Sequence, residues 1–325
     1  MTKMAMIYSP LKYFALAGIT IFMISCSSDK KEELPPVSPV ERSKPAPPQK
    51  TEPEPLRISY QLDSLESAAA VDSFAQRYSE AEKEIIFGIN RMDPNRLSAG
   101  DRIVIPDTLT SDFLDYAPFP RKYRILDTIP KAVLISRRTQ AFALYQKGVL
   151  VRWGPVSSGK ESTPTPAGLY YGNYKARKKV STVDPSWLMP YYFNFMNFEG
   201  VGVHQYSMPG YPASHACVRL RMKDAVHIYD WAEQWKLDPS GTTIVHNGTP
   251  FMVFGNYDYQ QEVPWLKLAE DPQALHLNSE EKEVLESYVA GYLRDERNFS
   301  ERVDPEEKLS SPPGSLESVK TGISP

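Results

Sequence analysis

Short alternating runs of apolar residues dominate the middle of the chain. The runs at 133–136, 141–145 and 149–153 have the length of strands, and Gln146-Lys147-Gly148 between the last two is a hairpin-turn sequence. Residues 242–246 form another strand-like run, and residues 223–235 place apolar side chains along one side of a helix. Short strands with regular turn signals predict a mainly β, antiparallel domain with a few helices over residues 130–250.

Two helical patterns precede this domain. The apolar residues that recur at helical spacing are Val71, Phe74, Ala75 and Tyr78, followed by Ile85, Ile86 and Ile89. Asp93-Pro94-Asn95 is a turn signal, and residues 103–105 form a short β-run that ends at a proline. Residues 56–107 are therefore predicted to be a small α+β domain. The next segment, 108–129, contains Pro118 and Pro120, which argue against a helix there.

The two ends of the chain differ from its body. Residues 251–300 are predicted to be a helical extension with an amphipathic helix from Ser279 onward, and residues 301–325 a disordered polar tail. At the N-terminus, Lys3 and Lys12 precede a short apolar run at 13–25, which is typical of a signal peptide over residues 1–25. An uncleaved anchor helix and an ordinary secretory signal are alternatives. Residues 26–55 are rich in proline and charge, which predicts a disordered tether.

Composition excludes one class of partner and raises a question about the thiols. Lys and Arg number 37 against 40 Asp and Glu, and the body of the chain has no long basic run, which argues against nucleic acid as a partner. The chain has two cysteines, Cys26 and Cys217. If Cys26 follows a cleaved signal peptide and is lipidated, Cys217 has no partner for an internal disulfide. A lone thiol in an exported protein calls for a chemical explanation.

Cys217 stands in the part of the chain that is richest in candidate chemistry. His204, His215 and Cys217 lie close together in sequence, with Gly and Pro between them to turn the chain back. A free thiol has a pKa of about 8.5, so an imidazole that accepts its proton would activate it. Backbone N–H groups around the cysteine are candidate donors to an oxyanion. Arg219 follows two residues later on the same side of an extended chain, where it is a candidate partner for a substrate carboxylate.

Several ordered motifs give residues 131–248 a resemblance to the YkuD-type L,D-transpeptidase catalytic domain. Residues 145–151 resemble its early hairpin, 155–160 the strand end that follows, and 163–168 its T-P-x-G-type turn. Val203-His204 is similar to its upstream histidine motif, and 214–220 (SHACVRL) is similar to its S-H-G-C-x-R signature. The sequence departs from that signature at Ala216, where the family has glycine.

The resemblance implies roles for these residues. Cys217 would be the nucleophile that attacks a peptidoglycan stem peptide and forms a thioester, and His204 the general base, oriented by a backbone carbonyl near Gln205. The thioester would pass to an amine of a second stem to give a 3–3 crosslink. No cofactor or metal is implied, and carbapenems would acylate the thiol. The residues assigned to the oxyanion and the substrate are Ser214, His215, Ala216, Arg219 and Gln205.

Two further resemblances concern the N-terminal half. Residues 23–27 (MISCS) resemble a bacterial lipobox, with Met23 in place of the usual leucine, which implies lipidation of Cys26. Residues 56–107 resemble a divergent LysM module, with 62–65 in place of the usual first strand and turn. A small helical spacer is the alternative for that segment. Together these resemblances imply a lipoprotein of the cell envelope that faces the periplasm, at the outer membrane, and acts in peptidoglycan biosynthesis.

Alternatives remain open for the site and for the whole protein. Cys217 could be a buried structural thiol, His204, His215 and Cys217 could bind zinc, and Arg219 could be a surface charge. Alanine at 216 raises the alternative of a weak or inactive peptidoglycan-binding lipoprotein. Water in place of the second stem would make the same site an L,D-carboxypeptidase or hydrolase.

Overall fold

The computed structural model describes residues 57–299. The predicted signal peptide, Cys26, the tether at 26–55 and the tail at 301–325 lie outside the described residues, so these predictions stay untested. Among residues 57–299, no helix has both the length and the apolar content needed to cross a membrane.

Residues 60–106 form a two-stranded antiparallel sheet with two helices between its strands. The elements are β1 (Tyr60–Ser64), α1 (Ala68–Arg77), α2 (Glu80–Ile89) and β2 (Arg102–Pro106). Both predicted helices are present, and each begins at a serine whose side chain accepts a backbone N–H, as N-cap residues do. The sequence also predicted that residues 62–65 replace the first strand of a LysM module, but a first strand, β1, is present. Its residues pair with all of β2, from Tyr60 opposite Pro106 to Ser64 opposite Arg102.

The rest of the described chain is rich in β-strands, and most of its strand pairs are antiparallel. The connection at 108–129 has no α-helix and contains two 3-10 turns, Phe113–Tyr116 and Arg124–Leu126. The strands are β3 (Ala132–Ser136), β4 (Ala141–Gln146), β5 (Val149–Pro155), β6 (Gly168–Tyr171), β7 (Tyr174–Val180), β8 (Leu188–Met196), β9 (Val201–Gln205), β10 (Val218–Leu220), β11 (Lys236–Leu237), β12 (Ile244–His246) and β13 (Pro250–Phe254). The helices are α3 (Met222–Trp231) and α4 (Ser279–Arg294).

A five-stranded sheet with the order β5-β4-β3-β13-β6 forms the centre of this region. The predicted strands at 133–136, 141–145 and 149–153 are all in it, and Lys147 and Gly148 turn between β4 and β5 with φ of 47° and 72°. The strand that completes the sheet is β13, which lies parallel to β3 and antiparallel to β6. Residues 251–254 are therefore not part of a helical extension, as expected from the sequence, but a central strand. Residues 242–246 were expected to close the domain, yet β12 pairs with the short β11 instead.

A second sheet, with the order β10-β9-β8-β7, packs against one face of the first. Its strands β8 and β9 are antiparallel, but β9 and β10 are parallel, with Arg219 opposite His204. The core between the sheets is apolar, and its fully buried side chains include Val133, Phe142, Phe193, Val203, Val218, Ile228 and Phe251. Helix α3 covers this core and ends at Trp231, four residues before the predicted end.

The other face of the five-stranded sheet is covered by the N-terminal elements, by Trp265 and by α4. One continuous apolar cluster joins Ile89 and Val104 of the N-terminal elements to Leu134 and Met252 of the sheet. Residues 57–299 belong to one compact unit. The predicted domain boundaries at 107, 130 and 250 thus remain sequence-based divisions.

Candidate active site

Strands β9 and β10 hold the two residues predicted to react. His204 lies near the end of β9, and Cys217 immediately precedes β10, which runs parallel to β9. Gly202 lies in β9 opposite Asn194 of β8, and a Cβ atom at Gly202 would come within 2.5 Å of the Phe193 carbonyl oxygen. Glycine is therefore needed for the close approach of these strands. Sheet pairing, rather than sequence proximity alone, sets the relative positions of the histidine and the thiol.

The imidazole of His204 is buried and has a defined tautomer. Its Nδ1 lies 2.9 Å from the backbone carbonyl oxygen of Gln205. A carbonyl only accepts, so Nδ1 carries the hydrogen and the Nε2 lone pair remains available for a proton. Burial lowers the pKa of His204 to about 4, and the charge of Arg219 acts in the same direction, whereas the Gln205 carbonyl opposes the shift. The ring is therefore a neutral acceptor at neutral pH.

The thiol of Cys217 is also neutral in this environment. Burial raises the pKa of Cys217, while the backbone N–H of Gly202 and the charge of Lys179 act to lower it. Its Sγ contacts the carbonyl oxygen of Gly200 at 3.8 Å. Within residues 57–299, no hydrogen bond joins Cys217 to His204 directly. Because the thiol and the imidazole are both neutral, proton transfer between them is expected to accompany attack rather than precede it.

A cleft of about 110 Å³ brings most of the predicted site residues together. Its wall contains His204, Ser214, His215, Ala216, Cys217 and Arg219. Gln205 does not line the cleft with its side chain, and its contribution is the carbonyl that fixes His204. The remaining lining residues are Tyr206 and members of the segments 181–189 and 199–201.

Ala216 has a left-handed backbone conformation, with φ of 74°. This is the conformation that glycine adopts without cost and that an alanine Cβ disfavours by about 1 kcal/mol. A glycine at this position, as in the signature that the sequence resembles, would adopt this φ without that cost. Its carbonyl oxygen accepts a hydrogen bond of 2.7 Å from the hydroxyl of Thr165.

His215 and Arg219 flank the thiol in different states of pairing. The Nδ1 atom of His215 is buried without a hydrogen-bond partner among the described residues, and its ring lies 5.0 Å from that of Trp187. Arg219 donates to the carbonyl of Ala213 at 2.8 Å and stacks over the Tyr206 ring at 4.8 Å. Burial lowers the pKa of Arg219, and in the described part of the chain no carboxylate forms an ion pair with it.

Sequence reasoning missed two residues that support the site. Thr165 links Gly159, whose N–H it accepts at 2.9 Å, to the backbone of Ala216. Thr165 lies in the Thr-Pro-Thr-Pro sequence, which indicates a turn but not these contacts. Tyr192 donates to the Gly200 carbonyl at 2.6 Å, the oxygen that also contacts the thiol. No sequence pattern separated Tyr192 from its aromatic neighbours.

The zinc alternative finds no support in this geometry. Across residues 57–299, no group of three or more His, Cys, Asp or Glu side chains is arranged to hold a metal ion. His204 directs Nδ1 to a backbone carbonyl, and Cys217 contacts backbone atoms. The arrangement suits a thiol, a base and a set of backbone donors.

Comparison with known proteins agrees with these elements. Residues 130–253 match the L,D-transpeptidase catalytic domain of the YkuD family. Residues 130–253 are thus similar to the YkuD-type catalytic domain. A Bacillus licheniformis protein that carries the YkuD name is 22% identical over 190 residues, which span 58% of this chain and 97% of that protein.

Solved structures overlap a smaller share of the chain. An L,D-transpeptidase from Stackebrandtia nassauensis is 25% identical, with a TM-score of 0.33, over 40% of this chain and 58% of that one. An L,D-transpeptidase from Mycobacterium smegmatis is 20% identical, with a TM-score of 0.31, over 39% of this chain and 59% of that one. The overlap is therefore less than two thirds of either solved chain.

Proposed function

We propose that the YkuD-type domain catalyses L,D-transpeptidation of peptidoglycan stem peptides through a thioester on Cys217. The observation that carries this proposal is the pairing of a thiol with a neutral imidazole in one cleft. His204 Nδ1 is fixed by Gln205, which leaves Nε2 as the acceptor. The family match over residues 130–253 supports the same reaction class.

The chemistry follows from the positions of these groups. The Cys217 Sγ attacks a stem-peptide carbonyl carbon while His204 Nε2 accepts the thiol proton. The backbone N–H groups at Ala216 and Cys217, with His215, stabilise the oxyanion. Collapse of that intermediate breaks the C–N bond, and the leaving amine takes the proton from His204. An amine of a second stem then attacks the thioester and releases the thiol, which gives a 3–3 crosslink.

Arg219 has a proposed role in binding the substrate. Its guanidinium borders the cleft, and the groups that hold it are backbone carbonyls and an aromatic ring. It therefore keeps a positive charge that a stem carboxylate can neutralise. Ser214 is proposed to contribute through its backbone, whose N–H donates to the Ser158 carbonyl and whose carbonyl accepts the Lys160 N–H.

The reaction class is tested by acylation of the thiol. We expect imipenem to add once to the protein, and peptide mapping to place the adduct on Cys217. The Cys217→Ser variant serves as the matched control, since it keeps the size of the side chain and lacks the thiolate nucleophile. A folded wild-type protein that forms no adduct contradicts the proposal and favours the inactive binding protein.

Crosslinking and trimming are separated by the products. Incubation with purified peptidoglycan, followed by muropeptide analysis, is expected to show new 3–3 dimers that the Cys217→Ser variant does not make. A loss of tetrapeptides without new dimers indicates the L,D-carboxypeptidase or hydrolase instead. Ala216 is relevant to the choice between crosslinking and trimming, because its N–H is a proposed donor to the oxyanion and its φ is positive.

The N-terminal half is proposed to place the enzyme at the wall. We propose that Cys26 is lipidated and anchors the protein in the cell envelope, facing the periplasm, with the outer membrane as the expected site. Loss of membrane association in a Cys26→Ala variant tests this. The order strand, helix, helix, strand over 60–106 supports a LysM-like module that binds glycan. Pull-down of residues 56–325 with insoluble peptidoglycan tests that role.

A further inference from the structure

The turn that follows α2 contacts the loop between the two reactive residues. We call residues 91–96 the clamp segment, and residues 206–216, which connect β9 to Cys217, the catalytic loop. The loop carries Ser214, His215 and Ala216 and is bordered by His204 and Cys217 at its ends. Its conformation therefore sets the geometry of the cleft.

The clamp segment pairs with the catalytic loop as a short antiparallel bridge. Met92 lies opposite Pro209. The Asp93 N–H donates to the Met208 carbonyl at 2.8 Å, and the Gly210 N–H donates to the Arg91 carbonyl at 3.1 Å. Gly210 has a φ of 90°, so the loop turns sharply at the point where the clamp segment holds it.

Two side chains of the clamp segment add to this bridge. The Asp93 carboxylate accepts the Met208 N–H at 2.8 Å, so that Asp93 binds both the N–H and the carbonyl of Met208. Arg96 Nη2 donates to the Ser207 hydroxyl at 2.8 Å. Met208 itself is fully buried. Asp93 and Arg96 thus bind two consecutive residues of the loop.

The clamp segment is itself fixed on the body of the protein. Arg91 is buried, donates from Nε to the Thr139 carbonyl at 3.0 Å, and stacks over Trp265 at 5.0 Å. Its neighbour Asn90 donates to the Val104 carbonyl at 2.7 Å and so ties the turn to β2. A bridge to a fixed segment restrains the loop, whereas a bridge to a mobile one would not.

The YkuD-type domain alone holds the first half of the loop weakly. Within the described chain, its hydrogen bonds to residues 206–210 are Tyr206 N–H to the Leu220 carbonyl at 3.1 Å and Arg219 to the Ser207 carbonyl at 3.4 Å. The second half is better held, for example by Ser157, whose hydroxyl donates to the Tyr211 carbonyl at 2.7 Å. The restraint on residues 207–210 therefore comes mainly from the clamp segment.

We propose that Asp93 and Arg96 are positioning residues for the reaction of Cys217, through the restraint that they place on the catalytic loop. They do not line the cleft, and they act through Ser207 and Met208. A shift of about 1 Å in a catalytic group is enough to slow a reaction by orders of magnitude. The N-terminal elements would then have a part in the chemistry besides any binding of glycan. The kinetic part of this proposal rests on the proposed function.

The test compares Asp93→Ala with Asp101→Ala in otherwise full-length protein. Asp101 is a matched control, because it also accepts a backbone N–H (Ser98, 2.8 Å) in the N-terminal elements but lies outside the clamp segment. Hydrogen exchange is expected to rise in residues 206–216 for Asp93→Ala and to stay unchanged there for Asp101→Ala. Imipenem acylation is expected to slow by about tenfold or more only for Asp93→Ala.

Further variants and a second reagent separate positioning from general damage. Asp93→Asn keeps a carbonyl oxygen as acceptor and is expected to recover most of the rate. Alkylation by iodoacetamide needs the thiol but no oxyanion donors. The alkylation rate of Asp93→Ala is therefore expected to stay within about twofold of the wild-type rate. If Asp93→Ala fails to fold, Arg96→Ala and Ser207→Ala replace it in the test. These two side chains share one hydrogen bond, so the double variant should be acylated no more slowly than either single variant.

The outcomes distinguish this proposal from the proposed function. If the wild type forms no imipenem adduct, the proposed function fails, and hydrogen exchange alone decides whether the clamp segment restrains the loop. If the wild type is acylated and Asp93→Ala reacts at the rate of Asp101→Ala, positioning is overturned. Unchanged hydrogen exchange of residues 206–216 in Asp93→Ala overturns it as well.

Discussion

The five-stranded sheet and the second sheet, β10-β9-β8-β7, differ in where polar and strained groups lie. In the five-stranded sheet, β3, β4 and β13 bury almost entirely apolar side chains. The β3–β4, β3–β13 and β13–β6 pairs keep one register throughout. At the end of the second sheet, a buried imidazole, a partly buried thiol and an alanine with positive φ occur within fourteen positions. The imidazole, the thiol and the strained alanine thus lie together at one edge, where a well-packed sheet supports them.

This contrast separates the region that stabilises the fold from the region that holds the reactive groups. The first sheet has the features of a rigid scaffold, whereas the cleft holds groups whose neutral forms are enforced by burial. Changes in the first region should therefore lower the free energy of unfolding, and changes in the second should alter titration or local strain. Four predictions follow that contrast from the largest expected effect to the smallest.

Truncation in the five-stranded sheet should have the largest effect on stability. Phe251 in β13 is fully buried, and its ring lies 5.1 Å from that of Phe195 and 5.5 Å from that of Phe193. Phe251→Ala should lower the free energy of unfolding by about 3–5 kcal/mol because it leaves a cavity between the sheets. Urea denaturation measures this change. The exposed Phe198→Ala is the control, and equal losses for the two variants would contradict the assignment of β13 to the core.

The buried imidazole of His204 should make stability depend on pH. Its pKa is about 4 in the folded protein against a reference of 6.5, so below pH 6.5 the unfolded chain binds a proton that the folded protein does not. Stability should therefore fall as the pH drops from 6.5 to 4, by about 3 kcal/mol for this group. Denaturation at several pH values measures it, with His204→Gln as the reference. If the difference in free energy of unfolding between the wild type and His204→Gln stays constant with pH, the lowered pKa of His204 is refuted.

The hydroxyl of Thr165 should contribute an intermediate amount to the free energy of unfolding. Thr165→Val preserves shape but leaves the Gly159 N–H and the Ala216 carbonyl without their partner, which costs about 1–3 kcal/mol. It should also relax the backbone beside the thiol. Thermal denaturation and imipenem acylation measure the two effects. Thr163→Val, which loses a longer 3.3 Å bond to the Ser214 carbonyl, is the control and should lose less stability.

Relief of the strain at Ala216 should give the smallest effect, and a favourable one. Ala216→Gly removes the Cβ atom at a φ of 74° and should raise the free energy of unfolding by about 1 kcal/mol. Chemical denaturation at pH 7 measures the change. Ala213→Gly, in the same loop without positive φ, should instead be neutral or destabilising. A loss of stability in Ala216→Gly would show that no strain is relieved there.

Much of the scaffold could be predicted because its signals are local. Apolar runs around a hairpin turn predict the strands at 133–136, 141–145 and 149–153. The helical spacing of apolar residues predicts both N-terminal helices. Strand β13 was missed because Phe251–Phe254 pair with β3, more than one hundred residues earlier, and no local pattern reports such a partner. Strand β1 was missed for the same reason, since its partner β2 lies forty residues away.

The candidate site divides in the same way. Cys217, His204, His215 and Arg219 could be named from residue types and from a signature that resembles a known family. Their environments could not, because the pKa of His204 depends on burial by strands from several parts of the chain. Tyr192, Thr165 and Asp93 carry no local mark of their contacts with the site.

The sequence by itself determined which groups are available for chemistry: a thiol, an imidazole and a guanidinium in a fixed order, and an alanine where a glycine is usual. Only the tertiary structure decided that the parallel pairing of β9 and β10 places them at one cleft, that Ala216 has a positive φ, and that residues 91–96 hold the loop between them. The physical reason is that residue type is a local property of the chain. Burial, backbone strain and long-range hydrogen bonds exist only after distant segments have packed together.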